Sequence, residues 1–169
     1  MFPSLNKSIS IICTWLEQTP LSHAIQVTSW VVPAVQTVHI LAIAAVAGSA
    51  LMIDLRLLGL VAVDQPLKDV SSRFLPFIWW SLLILLATGT IMIIGEPPRT
   101  LKNPVFQLKM ALLVGAITVT GLFQYLLRRN PAFDDAGSRQ RFAAEAIAVL
   151  SMLLWLGIIF SGRWIAYYL

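Results

Sequence analysis

Long runs of apolar residues alternate with short polar segments along the chain, and four of these runs are much longer than the rest. A helix needs about 20 apolar residues to cross the roughly 30 Å of hydrocarbon in a bilayer. Each of the four runs reaches that length, and their bounds are 30–53, 74–95, 105–127 and 142–166. The pattern predicts an all-α fold, an integral membrane four-helix bundle.

Residues 1–29 carry a weaker pattern. Their apolar stretch is too short to span a bilayer and is broken by Glu17. Thr19 followed by Pro20 is typical of a helix start, because the hydroxyl caps the first turn and proline fits its first position. We therefore expect one or two short interfacial helices at 1–29, followed by the bundle at 30–169.

The composition agrees with a lipid environment. Hydrophobic residues make up 58% of the chain and charged residues 12%, with a mean hydropathy of +0.81. A soluble domain carries about 25% charged residues, so this chain has too few to cover a surface that faces water. The formal net charge is +4. Because the basic residues flank the apolar runs, we expect them to face the lipid bilayer and not a nucleic acid.

The basic residues are distributed unevenly between the two ends of the spans. The connections after the first and third spans, with their flanks, carry seven Lys and Arg residues, and the opposite side carries four. Connections rich in Lys and Arg stay on the cytoplasmic side of a membrane. We therefore predict a multi-pass protein of the bacterial inner membrane with both termini in the periplasm.

Few residues are available for metal or disulfide chemistry. Cys13 is the single cysteine, and His23 and His39 are the only histidines. These small numbers exclude an intrachain disulfide, a cysteine-rich metal cluster and a polyhistidine centre within one chain. The chain also has no P-loop, GxGxxG, CxxCH or HExxH motif.

Two ionisable residues lie inside the spans, where burying a charge is expensive and often reflects a function. His39 is about 13 Å from the outer end of the first span, and Lys109 is about 6 Å into the third, at 1.5 Å per residue. The two spans run in the same direction, so we expect the two side chains to meet in the outer half of the bundle. The alternatives are a packed interface with His39 bonded to a hydroxyl, and a Lys109 that snorkels to the headgroups.

Other polar residues lie nearer the ends of the spans. Arg163 could bind a propionate or another carboxylate as a bidentate partner, or it could anchor the last span in an aromatic belt. Arg56 with Asp54 or Glu145 would clamp the first and fourth spans together near the inner face, and a proton path through Glu145 is the sharper alternative. His23 could supply a second ligand if its short helix folded over the bundle.

Motifs in the first and last spans resemble a known family. The segment 39–59 has the form HILxxAxxxGxxxxxDLRLLG, and 161–167 reads SGRWIAY. This pattern is similar to that of a family of small bacterial four-helix membrane proteins, and the similarity covers nearly the whole chain. It implies a membrane bundle and implies no particular activity.

A more distant resemblance is to the HemJ-type protoporphyrinogen oxidases and the CopD-like membrane domains. The matching residues are the His-Ile pair at His39, the lysine-containing segment 109–114 and the sequence R-F-x-x-E at 141–145. The resemblance implies haem b bound by His39 and by Lys109. The HemJ pattern has an asparagine at the position of Ala144. With this difference, the resemblance implies binding of a porphyrin and not oxidation of a porphyrinogen.

We therefore expect a b-type haem, or a related porphyrin, between His39 and Lys109, with both residues as ligands of the haem iron and Arg163 on a propionate. Such a protein would transfer electrons or carry out a redox step in the membrane, with a quinone or porphyrin as partner. It could act as a homodimer or within a larger membrane complex. The alternatives are a non-enzymatic accessory subunit of such a complex and a small copper transporter, in which His39 and scattered methionines would supply soft ligands.

Overall fold

The structure is a computed structural model that describes residues 3–129, 138–165 and 167. Helices account for most of these residues, and no strand occurs among them. In chain order the helices are α1 (Pro3–Glu17), α2 (Pro20–Val27), α3 (Val31–Leu57), α4 (Leu67–Gly95), α5 (Pro97–Leu101), α6 (Pro104–Arg129) and α7 (Ser138–Trp164). The prediction of an all-α fold is confirmed.

Four of the helices, α3, α4, α6 and α7, are long and apolar enough to cross a membrane. By this measure the chain is a multi-pass membrane protein, as predicted. The largest difference from the predicted bounds is at α4, which begins at Leu67 and not at residue 74. The helix starts directly after Pro66, and its first two turns are mostly polar. The apolar run therefore identified only the part of the helix that is suited to hydrocarbon.

Glycine ends α3 through a defined backbone motif. Gly59 has a φ of +70°, a conformation that costs a glycine little. Its N–H donates to the carbonyl of Arg56 at 3.0 Å, and the N–H of Leu60 donates to the carbonyl of Leu55 at 2.9 Å. This is the Schellman arrangement. The final glycine of the DLRLLG sequence therefore fixes where the first span stops.

The short helix α2 starts as the sequence predicts. The hydroxyl of Thr19 accepts a hydrogen bond from the N–H of Ser22 at 3.3 Å, and Pro20 occupies the first position. The side-chain amide of Gln26 donates to the carbonyl of Gly95 at 2.9 Å. That hydrogen bond joins α2 to the last residue of α4, and so places α2 at the end of the bundle where α4 finishes.

The helix α5 was not predicted, because its two prolines were interpreted only as the end of the second span. Proline is favoured in the first turn of a helix, where its missing N–H would have no partner. Pro97 and Pro98 occupy that turn, and Pro97 is buried. The helix α1 packs against α5, so α1, α2 and α5 lie together at one end of the bundle.

The four long helices are arranged in the spatial order α4, α3, α7, α6. The helix α3 packs against both α4 and α7, and α6 packs against α7, whereas α4 and α6 make few contacts with each other. Small buried residues of α3 let its neighbours approach closely, as in many membrane interfaces. They are Ala42, Ser49 and Ala50. The arrangement leaves a cleft between α4 and α6.

Candidate functional site

His39 is held against α4 by a hydrogen bond. Its Nδ1 lies 2.7 Å from Oγ1 of Thr88, which is one of the buried polar residues of the bundle. The hydroxyl of Thr88 also donates to the carbonyl of Ile84 at 2.7 Å, within its own helix. These two contacts join α3 and α4 at a level well inside both spans.

The bond from Thr88 to Ile84 determines which ring nitrogen of His39 carries the proton. A hydroxyl has one hydrogen, and when Thr88 donates it to the carbonyl of Ile84, its Oγ1 accepts from His39. In that arrangement Nδ1 is the protonated nitrogen of a neutral imidazole. The lone pair of Nε2 is then available to a metal or to a proton, and no residue in the described part of the chain bonds to it.

Gly89 brings α4 close to one edge of the imidazole. A Cβ atom at this position would lie 3.6 Å from Cε1 of His39, an ordinary van der Waals separation. The ring is therefore supported by α4 through both Thr88 and Gly89, and its position depends on two elements of the bundle. A histidine oriented by a second residue in this way is typical of metal-binding histidines.

Lys109 extends from α6 towards a glycine of α7. A Cβ atom at Gly162 would lie 3.6 Å from Nζ of Lys109 and 3.8 Å from its Cε. The side chain is half-buried and is close enough to His39 to act on it electrostatically. The structure therefore brings His39 and Lys109 into one region, although they come from helices that are not neighbours in the chain.

The described contacts do not bring the other two predicted candidates to this region. Arg163 is exposed, donates to the hydroxyl of Tyr167 at 3.1 Å and lies 5.4 Å from the centre of that ring. His23 is exposed on α2. In the arrangement described, neither of them contacts His39 or Lys109.

A second polar region, which the sequence did not reveal, surrounds Asp54. This carboxyl group is 4% exposed and shares a hydrogen bond with Ser151 of α7, while its Oδ2 has no partner among the described residues. A cavity of about 20 Å³, lined by residues of all four spans including Thr120, lies beside it. That volume is enough for about one water molecule.

Asp54 and Glu145, the two carboxylates considered for a clamp between the first and fourth spans, have different partners. Glu145 forms an ion pair with Arg141 at 3.2 Å, one turn away on its own helix. Asp54 hydrogen-bonds with Ser151, which joins α3 to α7. The sequence signal for this contact was Ser151 itself, because hydroxyl side chains in membrane helices commonly hydrogen-bond to a neighbouring helix.

Comparison with known proteins gives a family over most of the chain. Residues 14–168 match DUF6644, a family of unknown function. The chain belongs to the DUF6644 family. No curated protein and no solved structure matches it. Membership of DUF6644 assigns no activity, and the comparisons show no relationship to the HemJ-type or CopD-like proteins, so the function has to be argued from the geometry.

Proposed function

We propose that the protein binds a b-type haem in the membrane and that His39 would be a ligand of its iron. The observation that carries the proposal is the hydrogen bond from Nδ1 of His39 to Thr88, because it leaves the lone pair of Nε2 for a metal. Imidazole is a common ligand of haem iron. A ligand histidine almost always donates its other ring N–H to a fixed acceptor, which is the role that Thr88 plays here.

Lys109 would be the second ligand of the iron. A protonated amine inside a span is costly, and an amine that binds a metal gives up its proton. The proximity of Lys109 to His39 and the absence of a side chain at Gly162 both support this role. Arg163, next to Gly162, would hold a propionate by exchanging its bond to Tyr167.

The proposed group would supply one-electron transfer in the membrane, with a quinone or a porphyrin as the reaction partner. The residues of the chain would orient the group and exclude water. His39 and Thr88 would fix its position, and the apolar surroundings would affect its potential. The donor set fits haem iron, for which two nitrogen ligands from different helices are sufficient.

The test is the visible spectrum of the purified protein, oxidised and reduced with dithionite. Wild type is expected to show a Soret band and sharp reduced α and β bands. His39→Ala is expected to lose them, while His23→Ala, which removes the other histidine, keeps them. Lys109→Ala is expected to retain haem with a changed spectrum, since one axial ligand would remain, whereas the control Lys102→Ala leaves the spectrum unchanged.

Two results would overturn the proposal. A wild-type protein that is colourless, and stays colourless after haem is added, would show that no such site exists. Full retention of the haem bands in His39→Ala would show that haem binds without this histidine.

A further inference from the structure

A small cavity lies between the four spans beside Asp54, and side-chain oxygens from three helices line it. They belong to Asp54 on α3, Thr120 on α6 and Ser151 on α7, which are 4%, 8% and 6% exposed. The rest of the lining is apolar. The volume of about 20 Å³ holds about one particle of the size of a water molecule. This region is separate from the proposed haem site, because Asp54 lies about 22 Å along α3 from His39.

The carboxyl group of Asp54 has only part of its hydrogen-bonding capacity used in this cavity. One hydrogen bond joins it to Ser151, whereas its Oδ2 atom has no partner among the described residues. In the described part of the chain no Lys, Arg or His lines the cavity, so no side chain there balances the charge of a carboxylate. Ionisable residues that face the interior of a membrane bundle often mark a site for an ion or a proton.

The three side-chain oxygens are suitable ligands for a hard cation. Carboxylate oxygens are typical ligands of such cations. A hydroxyl oxygen keeps lone pairs for a cation even while it donates its hydrogen, as Ser151 does to Asp54. A water molecule could also bond to Oδ2, but because it is neutral it would leave a carboxylate uncompensated in apolar surroundings.

The lining also limits the charge and the size of the cation. Because Asp54 is the one carboxylate that lines the cavity, a divalent ion would leave a net positive charge inside the bundle. Calcium in addition takes about six to eight oxygen ligands, more than these side chains supply. A space for about one water molecule excludes organic cations. A small monovalent inorganic cation meets both limits.

We propose that Asp54, Thr120 and Ser151 bind one small monovalent cation, of which sodium is the example, between α3, α6 and α7. The ion balances the charge of the carboxylate and contacts its Oδ2 atom. Asp54 and Ser151 already join α3 to α7 by a hydrogen bond. The ion adds a ligand from α6, so that its binding joins three helices of the bundle.

The experiment measures binding of radioactive sodium to the purified protein in a neutral detergent by scintillation proximity. Wild type is expected to bind about one ion per chain, since the cavity has room for about one. Unlabelled sodium chloride is expected to displace the label, whereas N-methylglucamine chloride at the same ionic strength is not, because that cation is too large for the cavity. Asp54→Asn, which keeps the shape and removes the charge, is expected to lose the saturable binding.

Two matched controls separate these ligands from other polar residues of the chain. Asp69→Asn removes a carboxylate that is exposed at the start of α4, and it is expected to bind sodium as wild type does. Thr120→Val is expected to weaken binding several-fold, because it removes one oxygen ligand. Thr118→Val is its control, since the hydroxyl of Thr118 is exposed and bonds to the carbonyl of Val114 in its own helix. Thermal unfolding in N-methylglucamine chloride checks that each variant is folded.

Three outcomes would overturn the proposal. Absence of saturable binding to wild type would show that the cavity holds a neutral water and that Asp54 carries a proton. Undiminished binding to Asp54→Asn would place the ion elsewhere in the protein. Equal weakening in Thr120→Val and Thr118→Val would show that Thr120 is not a ligand. The measurement does not depend on haem, so failure of the haem proposal would leave this one intact.

Discussion

The hydroxyl of Thr88 forms the hydrogen bond that orients the imidazole ring of His39. Without it the imidazole would rotate more freely and could exist in either tautomer. The hydroxyl bonds to the ring and to the carbonyl of Ile84 at once, so it fixes both the orientation of the ring and the position of its proton. A threonine within an apolar run is therefore part of the site, although its residue type alone gives no indication of that role.

Replacing Thr88 with valine keeps the shape and removes the hydroxyl. We expect Thr88→Val to lower the free energy of unfolding by about 1 kcal/mol, because the N–H of His39 loses its partner. If haem binds at His39 as proposed, its reduction potential should also shift, since the ligand is no longer oriented. Thermal unfolding in detergent and a redox titration measure the two effects.

The control for this prediction lies two residues away. Thr90 is exposed on α4, and its hydroxyl bonds only to the carbonyl of Leu86 in its own helix. Thr90→Val is expected to change neither quantity. If the two variants behaved alike, the bond between Thr88 and His39 would have no importance for the site.

The burial of Asp54 inside a span costs free energy. A carboxyl group buried inside a span loses its hydration, and one hydrogen bond with Ser151 replaces only part of it. The free Oδ2 atom faces a cavity with room for about one water. Burial of Asp54 is therefore unfavourable in itself, and its hydrogen bond with Ser151 joins α3 to α7.

At the scale of helices, the pair α6 and α7 depends on close approach at a glycine. A Cβ atom at Gly157 would lie 3.1 Å from Cδ1 of Leu112, which is tighter than most contacts of real side chains. Interfaces between membrane helices depend on such close packing, because the hydrophobic effect does not distinguish a helix from lipid. The position of α6 is therefore sensitive to the size of residue 157.

We expect Gly157→Leu to lower the free energy of unfolding by about 1–3 kcal/mol, because the larger side chain would force α6 and α7 apart. Gly48→Leu is the control, since a Cβ atom at Gly48 meets nothing within 4 Å and the new side chain would face lipid. Thermal unfolding in detergent compares the two. A similar loss for both would contradict close packing at Gly157.

At the scale of the whole molecule, four helices are long and apolar enough to cross a membrane, and an even number of crossings would place both ends of the bundle on the same side. The basic residues flanking the α3–α4 and α6–α7 connections outnumber those on the other side, seven to four. Connections rich in Lys and Arg stay on the cytoplasmic side of a membrane, so this difference predicts that both connections are cytoplasmic. This orientation would place His39 in the outer half of the membrane.

Reporter fusions test this orientation. Alkaline phosphatase, which is active only outside the cytoplasm, is expected to be active when fused after Leu169. Green fluorescent protein, which fluoresces poorly when exported unfolded, is expected to fluoresce when inserted after Asp64 in the α3–α4 connection. The reverse pattern at both positions would show the opposite orientation.

The sequence by itself determined the number of spans and the start of α2. These features depend on local properties: the summed apolarity of about 20 residues and a threonine that caps a turn. The sequence also singled out His39 and Lys109, because ionisable groups are rare and costly inside a span. None of these properties requires knowledge of which helices are neighbours.

Only the tertiary structure decided the order α4, α3, α7, α6, the pairing of His39 with Thr88 and the bond between Asp54 and Ser151. In a membrane helix the lipid-facing and protein-facing sides are both apolar, so no amphipathic pattern identifies the neighbour. Hydroxyl residues are equally ambiguous, because each can bond within its own helix or across to another. The cleft between α4 and α6 exists only once all four helices are packed.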